Sequence, residues 1–199
     1  RGLGDVYKRQ IHPGYGFLSE NKRFAEIIEE HKIKFIGPKS KHIEMMGNKI
    51  DAKRIMIKND VPTVPGIDDV NDDRKIQSFI EKVGFPVIIK AASGGGGKGM
   101  RLIHSPEELE AGYRAARSEA QNAFGDDTVY LEKAISNPRH IEIQILSGAD
   151  GATIWLGERE CSMLRRHLKV IEETPSLLVT DAMRQQMGEV ACRAAEAVN

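Results

Sequence analysis

The stretch "KAASGGGGKGMRLI", Lys90–Ile103, decides how the chain is read. Four successive glycines and a Lys-Gly pair stand between the apolar run Pro86–Ile89 and a second apolar run, Met100–Ile103. Glycine loses more conformational freedom on ordering than any other residue, so a loop of this kind either stays mobile or brings backbone N–H groups close to something. Phosphate is the commonest such partner. Taken literally, Gly94, Gly96 and Gly99 satisfy GxGxxG, but the dinucleotide fingerprint requires the loop to open a helix, and "MRLIH" is a strand pattern. The P-loop fails as well, because Gly97-Lys98 is followed by Gly99 rather than Ser or Thr. What remains is a strand, a glycine loop and a returning strand: a hairpin flap able to close over phosphates, with a mobile surface hairpin as the plainer alternative. Lys90 ends a run whose neighbours are expected in the core, and a buried lysine is costly unless an anion meets it. A phosphate partner is the economical account beside such a flap, and a snorkelling structural lysine the alternative.

Outward from the flap the pattern is α/β (α+β). "NKRFAEIIEEH" predicts a helix with Phe24, Ile27 and Ile28 on one face, "IKFIG" a short strand, and "SKHIEMMGNKIDAKRIMIKND" renewed helical spacing in which Met45 and Met46 pack. The prolines and glycine of "VPTVPG", Val61–Gly66, mark a domain boundary. "DDRKIQSFIEKV" reads as a helix, "FPVIIKAA" as a buried strand and "GMRLIHS" as its return. The next helix opens with Ser105 as N-cap, Pro106 at the first position and Glu108 in the capping-box place. "TVYLEKAI" predicts a strand, and "RHIEIQILS" with "ATIWLGEREC" a long hairpin across Gly148, Asp150 and Gly151. Thr180–Val198 closes with a helix turning Met183, Met187, Val190 and Ala194 inward.

Bulk composition excludes several classes. Lys+Arg and Asp+Glu both total 29, so no global charge favours nucleic acid or an anionic membrane. No apolar run approaches the roughly 20 residues of a bilayer span, and no signal-peptide pattern is present. Cys161 and Cys192 form neither a CxxC pair nor a disulfide framework, which fits a reducing compartment and predicts a cytoplasmic protein. Residues 1–10, "RGLGDVYKRQ", are basic and patternless and read as a non-native leader, while "EVACRAAEAVN" stops inside a helical pattern; both ends predict a piece of a longer protein.

The runs "HPGYGFLSEN", "FIGP", "MGNK", "VPTVPG", "GFPVIIKAASGGGGKGMR", "EKAISNPRHIEIQIL" and "GERECSMLRRHLKVIEETPS" together resemble the biotin carboxylase component of biotin-dependent carboxylases, over essentially everything from Ile11 onward. The resemblance implies an ATP-grasp fold, truncated here and preceded by the end of a Rossmann-like N-terminal domain. It divides the chain at 11–60 (end of that domain and linker helices), 61–131 (lid with the glycine flap) and 132–199 (start of the C-terminal subdomain). It implies a ligase that makes carboxyphosphate and ADP from ATP and bicarbonate on Mg²⁺, then carboxylates biotin on a carrier domain. A carboxyltransferase component and a homodimeric parent follow from it too. Lys49 of "MGNK" and Lys90 resemble the two nucleotide-binding lysines, and Gly96 and Gly97 lie in the phosphate flap. Glu132, Lys133, Ala134 and Ile135 resemble the segment that meets adenine, largely through backbone groups. His140 and His167 match nucleotide-binding positions, and Lys169 the lysine that holds bicarbonate. The magnesium-binding glutamates are expected beyond Asn199, so no metal ligand is assigned here.

The residue chemistry agrees with those roles. Developing phosphoryl charge calls for preorganised cations, and bicarbonate suits a point charge that leaves its oxygen free to attack. His31, His42 and His104 read as solvated surface imidazoles, Cys161 as a buried small hydrophobe, and Glu158 and Glu160 as one face of a strand rather than an acid–base pair. Leu164 and Leu168 depart from the family, which usually carries glutamine at both places, and that replaces amides with side chains unable to donate or accept. Within enzymes, a non-biotin ATP-grasp ligase is the alternative. A catalytically dead nucleotide-binding or scaffold module is the alternative from another class. "KVIEETPS" tilts the resemblance towards the acetyl- or propionyl-CoA branch, and with the former fatty acid biosynthesis, while pyruvate carboxylase and urea carboxylase share these motifs because the acceptor binds a different domain.

Overall fold

The arrangement begins with a parallel pair. In the computed structural model, which describes residues 9–68, 70, 72–93, 97–165 and 168–198, β1 (Gln10–Ile11) and α1 (Lys22–Glu30) lead into β2 (Lys34–Phe35), with Gln10 opposite Lys34. Asn21 starts α1 because its Oδ1 accepts the Phe24 N–H at 2.8 Å. The helix buries Ala25 and Ile28, whereas Ile27 stays 37% exposed, so the buried stripe is narrower than the expected Phe24–Ile27–Ile28 face.

The helical run that follows is two helices, α2 (Ser40–Gly47) and α3 (Lys49–Lys58). Asn48 breaks it: the backbone is extended there, and its Oδ1 accepts from the N–H groups of Ile50 and Asp51 at 2.9 and 3.2 Å. Lys49 thereby becomes the first residue of α3. His42 corrects an expectation, since it is 6% exposed rather than solvated. Burial, then the charges of Lys41 and Lys39, lowers its pKa, and its Nε2 has no hydrogen-bond partner among the described residues. Met46 is 44% exposed, outside the expected packing.

Extended chain from Val61 enters β3 (Gly66–Ile67), followed by α4 (Asp73–Val83), β4 (Val87–Ala91), β5 (Met100–Ile103), α5 (Pro106–Phe124) and β6 (Val129–Lys133). The strands form an antiparallel sheet in the order β3-β6-β4-β5. Residues alternate across it. Val87, Ile89, Ala91, Val129 and Leu131 join Ile103, Phe79, Ala116 and Ala120 in the core under the helices. Ile88, Lys90, Tyr130 and Glu132 therefore fall on the other face. Strand β6 runs through the position where the second and third segments were divided. At the start of α5, Ser105 makes no side-chain cap bond; Glu108 instead accepts the N–H of His104 at 2.8 Å, one residue earlier than a capping box would place it.

The third unit is an antiparallel sheet of β7 (Ile141–Ser147), β8 (Thr153–Arg165) and β9 (Leu168–Glu173), with α6 (Asp181–Glu196) packed on it. Strand β9 has no counterpart in the sequence reading, because all six of its residues are exposed and leave no apolar alternation to detect. Between Ile143↔Glu158 and Ile145↔Trp155 the register slips by one residue, and Gly157 takes φ +108° there. This bulge carries one extra residue in β8, so Trp155 and Glu158 both turn inward. In α6 the buried residue is Gly188, against the Trp155 ring, while Met183 is 46% exposed rather than inward.

Candidate functional site

Two charged clusters gather most of the described candidate residues. The first lies on the polar face of the four-stranded sheet. Lys90, two residues along β4 from the partner of Glu132, reaches that carboxylate diagonally: Lys90 Nζ donates to Glu132 Oε2 at 2.6 Å. The anion that Lys90 meets is thus a glutamate, and its burial is accounted for without a phosphate. Lys53, from α3, donates to Oε1 of the same carboxylate at 2.7 Å. Lys49 begins α3 with its backbone N–H on the Ala92 carbonyl at 3.3 Å, which fastens the helix start to the end of β4. Burial, and then the charge of Lys90, lowers the Lys49 pKa, so the two expected nucleotide lysines sense each other.

Beside this cluster the β4–β5 hairpin turns through Gly97 and Gly99, with φ +78° and +68°. A Cβ on Gly99 would lie 2.8 Å from that of Ala91, so the hairpin base requires glycine there twice over. Gly96 lies outside the described residues.

The Glu132–Ile135 segment is partly committed to the fold. Lys133 donates its backbone N–H to Pro65 and its Nζ to the carbonyls of Gly84 and Phe85, and Ala134 donates its N–H to Pro86. A backbone contact with adenine must therefore use other groups of the segment. Ile135 is 59% exposed.

The second cluster is built around Glu142 on β7. Lys169 of β9 pairs with Oε2, and Arg159, directly opposite on β8, donates to Oε1 at 2.6 Å. His140 Nε2 stands 3.7 Å from Oε2. Burial alone would raise the Glu142 pKa, but the hydrogen bonds from Lys169 and Arg159 outweigh it and hold the carboxyl below its ordinary value. The Glu142 hydrogen bond in turn raises the Lys169 pKa, so Lys169 remains a cation. His167 lies outside the described residues. Leu164 and Leu168, 47% and 67% exposed, lie at the end of the β8–β9 pairing.

Glu158 and Glu160 are buried and fully engaged. Arg184 grips Glu158 with Nε at 2.7 Å and Nη2 at 2.9 Å, and Ser176 Oγ donates to Glu160 at 2.5 Å. Neither is placed for acid–base work. Among the described residues, one grouping has metal-ligating atoms in reach of one another: Glu142, Cys161 and Glu172. It does not fit Mg²⁺. Both Glu142 oxygens are already taken by cations, and Cys161 is a soft ligand whose pKa is raised by burial, whereas Mg²⁺ requires an octahedron of oxygens. Sequence reasoning missed Lys53, Glu142 and Arg159, since single charged residues inside alternating patterns carry no local signal.

A four-stranded antiparallel sheet packed under helices, with glycines at the β4–β5 hairpin, followed by a three-stranded sheet bearing cations, is an arrangement of the ATP-grasp class. The family described as "Carbamoyl-phosphate synthase L chain, ATP binding domain" matches residues 48–199, and "Biotin carboxylase, N-terminal domain" matches residues 5–43. The chain belongs to the biotin carboxylase family. It is 50% identical over 190 residues to biotin carboxylase of Nostoc sp., covering 95% of this chain and 42% of that protein. It is 48% identical to the propionyl-CoA carboxylase alpha chain of Ruegeria pomeroyi, covering 94% of this chain and 28% of that one. Its fold matches a Campylobacter jejuni biotin carboxylase solved as a β,γ-ATP complex, with TM-score 0.86 at 47% identity, over 96% of this chain and 43% of that one. The biotin carboxylase domain of Hydrogenobacter thermophilus 2-oxoglutarate carboxylase, solved with MgADP and bicarbonate, matches with TM-score 0.85 at 46% identity, over 96% and 42%. The chain thus spans less than half the length of each of these relatives.

Proposed function

We propose that this chain forms the nucleotide lid and part of the bicarbonate site of a ligase that carboxylates carrier-bound biotin at the expense of ATP. The observation that carries the reading is the pairing of Lys169 with Glu142, with His140 beside it. A lysine held protonated by a carboxylate on a solvent-facing sheet is a fixed point charge for a small anion. In the proposed step a bicarbonate oxygen attacks the γ-phosphorus, the bond to the β,γ-bridging oxygen breaks, and ADP leaves with that electron pair. Lys169 would hold the bicarbonate, Glu142 and Arg159 would fix Lys169, and Lys49 and Lys90 would face the phosphate chain. Gly96 and Gly97 would close over the phosphates, and Glu132, Lys133, Ala134 and Ile135 would border adenine, with His140 and His167 nearby. Magnesium, when bound, would neutralise phosphate charge.

The acyl acceptor is proposed to be acetyl- or propionyl-CoA, on the strength of "KVIEETPS". Relatives of similar identity include pyruvate carboxylases as well. A biotin carrier domain, a carboxyltransferase component, a homodimeric parent and a cytoplasmic setting belong to the same proposal. Among the described residues no helix is long and apolar enough to cross a membrane.

The test is steady-state kinetics of a full-length subunit carrying this sequence, measuring bicarbonate- and biotin-dependent ATP hydrolysis. Lys169→Gln is expected to weaken bicarbonate use about tenfold or more with little change in the KM for ATP. ATP hydrolysis indifferent to biotin would favour another ATP-grasp ligase. Unchanged bicarbonate dependence in the variant would remove Lys169 from the site.

A further inference from the structure

Glu132 is one carboxylate between two ammonium groups. Its side chain is 10% exposed, those of Lys53 and Lys90 16% and 29%, and the bonds are 2.7 and 2.6 Å. The place of Lys53 is built. It lies one helical turn beyond Lys49 on α3, and its Nζ sits 5.9 Å from the centroid of the Tyr130 ring. On β3, a Cβ at Gly66 would come within 2.7 Å of that Nζ, 2.6 Å of the Leu131 carbonyl oxygen and 2.9 Å of Glu132 Cγ. The Leu131 carbonyl leaves no room for a side chain at Gly66, and the ammonium occupies the space beside it at the strand edge. A partly buried trio with one positive charge in excess is costly unless an anion completes it.

We propose that Lys53 is a positioning residue for nucleotide binding: by occupying Oε1 of Glu132 it offsets that carboxylate's charge and leaves Lys90 tied through Oε2 alone. The remaining Lys90 donors are then available to a phosphate oxygen. Without Lys53, Glu132 faces the phosphates with its charge offset only by Lys90, and can take the Lys90 ammonium with both oxygens. This rests on the reading of Lys90 as a phosphate-binding residue.

Kinetics of the full-length subunit separate the two. Lys53→Met is expected to raise the KM for ATP about tenfold while the KM for bicarbonate and the melting temperature stay near wild type. Lys53→Arg, which keeps the charge, is expected to recover most of the loss. In a Glu132→Gln background, with no carboxylate charge left to offset, the effect of Lys53→Met should shrink below about threefold. An unchanged ATP KM in Lys53→Met, alongside a raised one in Lys90→Met, would overturn the proposal and leave the function standing. So would an effect that persists in full over Glu132→Gln, which would mean that Lys53 touches the nucleotide itself. A uniform fall in kcat, affinities and melting temperature, not recovered by Lys53→Arg, would make it scaffold. If Lys90→Met itself leaves ATP kinetics unchanged, the nucleotide role of Lys90 fails first.

Discussion

Lys90 shows why a buried charge is a question before it is a function. Its place at the end of an apolar strand demands an anion, and Glu132 supplies one from the neighbouring strand at 2.6 Å. Lys98, by contrast, is exposed in the glycine turn. If Lys90 also faces the phosphates, as proposed, Lys90→Met should reduce nucleotide affinity several-fold more than Lys98→Met, as measured by ATP titration of the full-length subunit. Equal small losses would leave both lysines structural. Glu158 is the other informative residue. The Arg184 hydrogen bonds, opposed by burial, push its pKa down to about 2. A depressed carboxylate stabilises the fold fully above its ordinary value of 4.5 and loses that contribution as pH falls towards 2. Arg184→Met should lower the melting temperature near neutrality, because it leaves the buried Glu158 carboxylate without its guanidinium partner. Melting curves from pH 7 to about pH 2 should draw together for the two proteins at the acid end, as the folded-state carboxylate is protonated.

At the scale of elements, glycines decide where strands approach and turn. Gly97 holds φ +78° in the β4–β5 turn, a conformation that a β-branched side chain resists. Gly97→Val should raise the KM for ATP in the full-length subunit if the hairpin closes on phosphate; unchanged kinetics would return the loop to a mobile surface turn. Gly188 tests packing instead. A Cβ there would run into the Trp155 ring, so Gly188→Ala should cost about 1–3 kcal/mol in a denaturant melt. The bulge at Gly157 belongs with these. By adding one residue to β8 it brings Glu158 to the same side as Trp155, and without it Glu158 would face away from α6 and its Arg184.

For the whole molecule, many large apolar side chains are exposed. On the three-stranded sheet Leu146, Ile154, Leu156, Met163, Leu168 and Val170 are each at least 50% exposed, and Tyr15, Phe17 and Leu177 are at least 90% exposed. Residues 9–198 expressed alone should self-associate, seen as polydispersity in light scattering, and should show no measurable carboxylation of free biotin. The second expectation follows from charge: a triphosphate needs a divalent cation, and the described donors do not suit one. A monodisperse, active monomer would contradict both.

The sequence by itself determined the local structure and the family. The Pro86–Ile89 and Met100–Ile103 runs and the turn glycines at 148 and 151 act through neighbours a few residues away, so they are legible one segment at a time. The ordered runs from Ile11 to Ser176 carried the family for the same reason. Tertiary structure alone decided which charges meet. Lys53 and Glu132 are 79 residues apart, Lys169 and Glu142 27, and Arg184 and Glu158 26. Their pairing depends on strand order, on register and on the bulges that shift it. An ion pair is set by distance in space, and a charged residue in an alternating strand gives the same pattern whether it faces water, a phosphate or another strand's lysine.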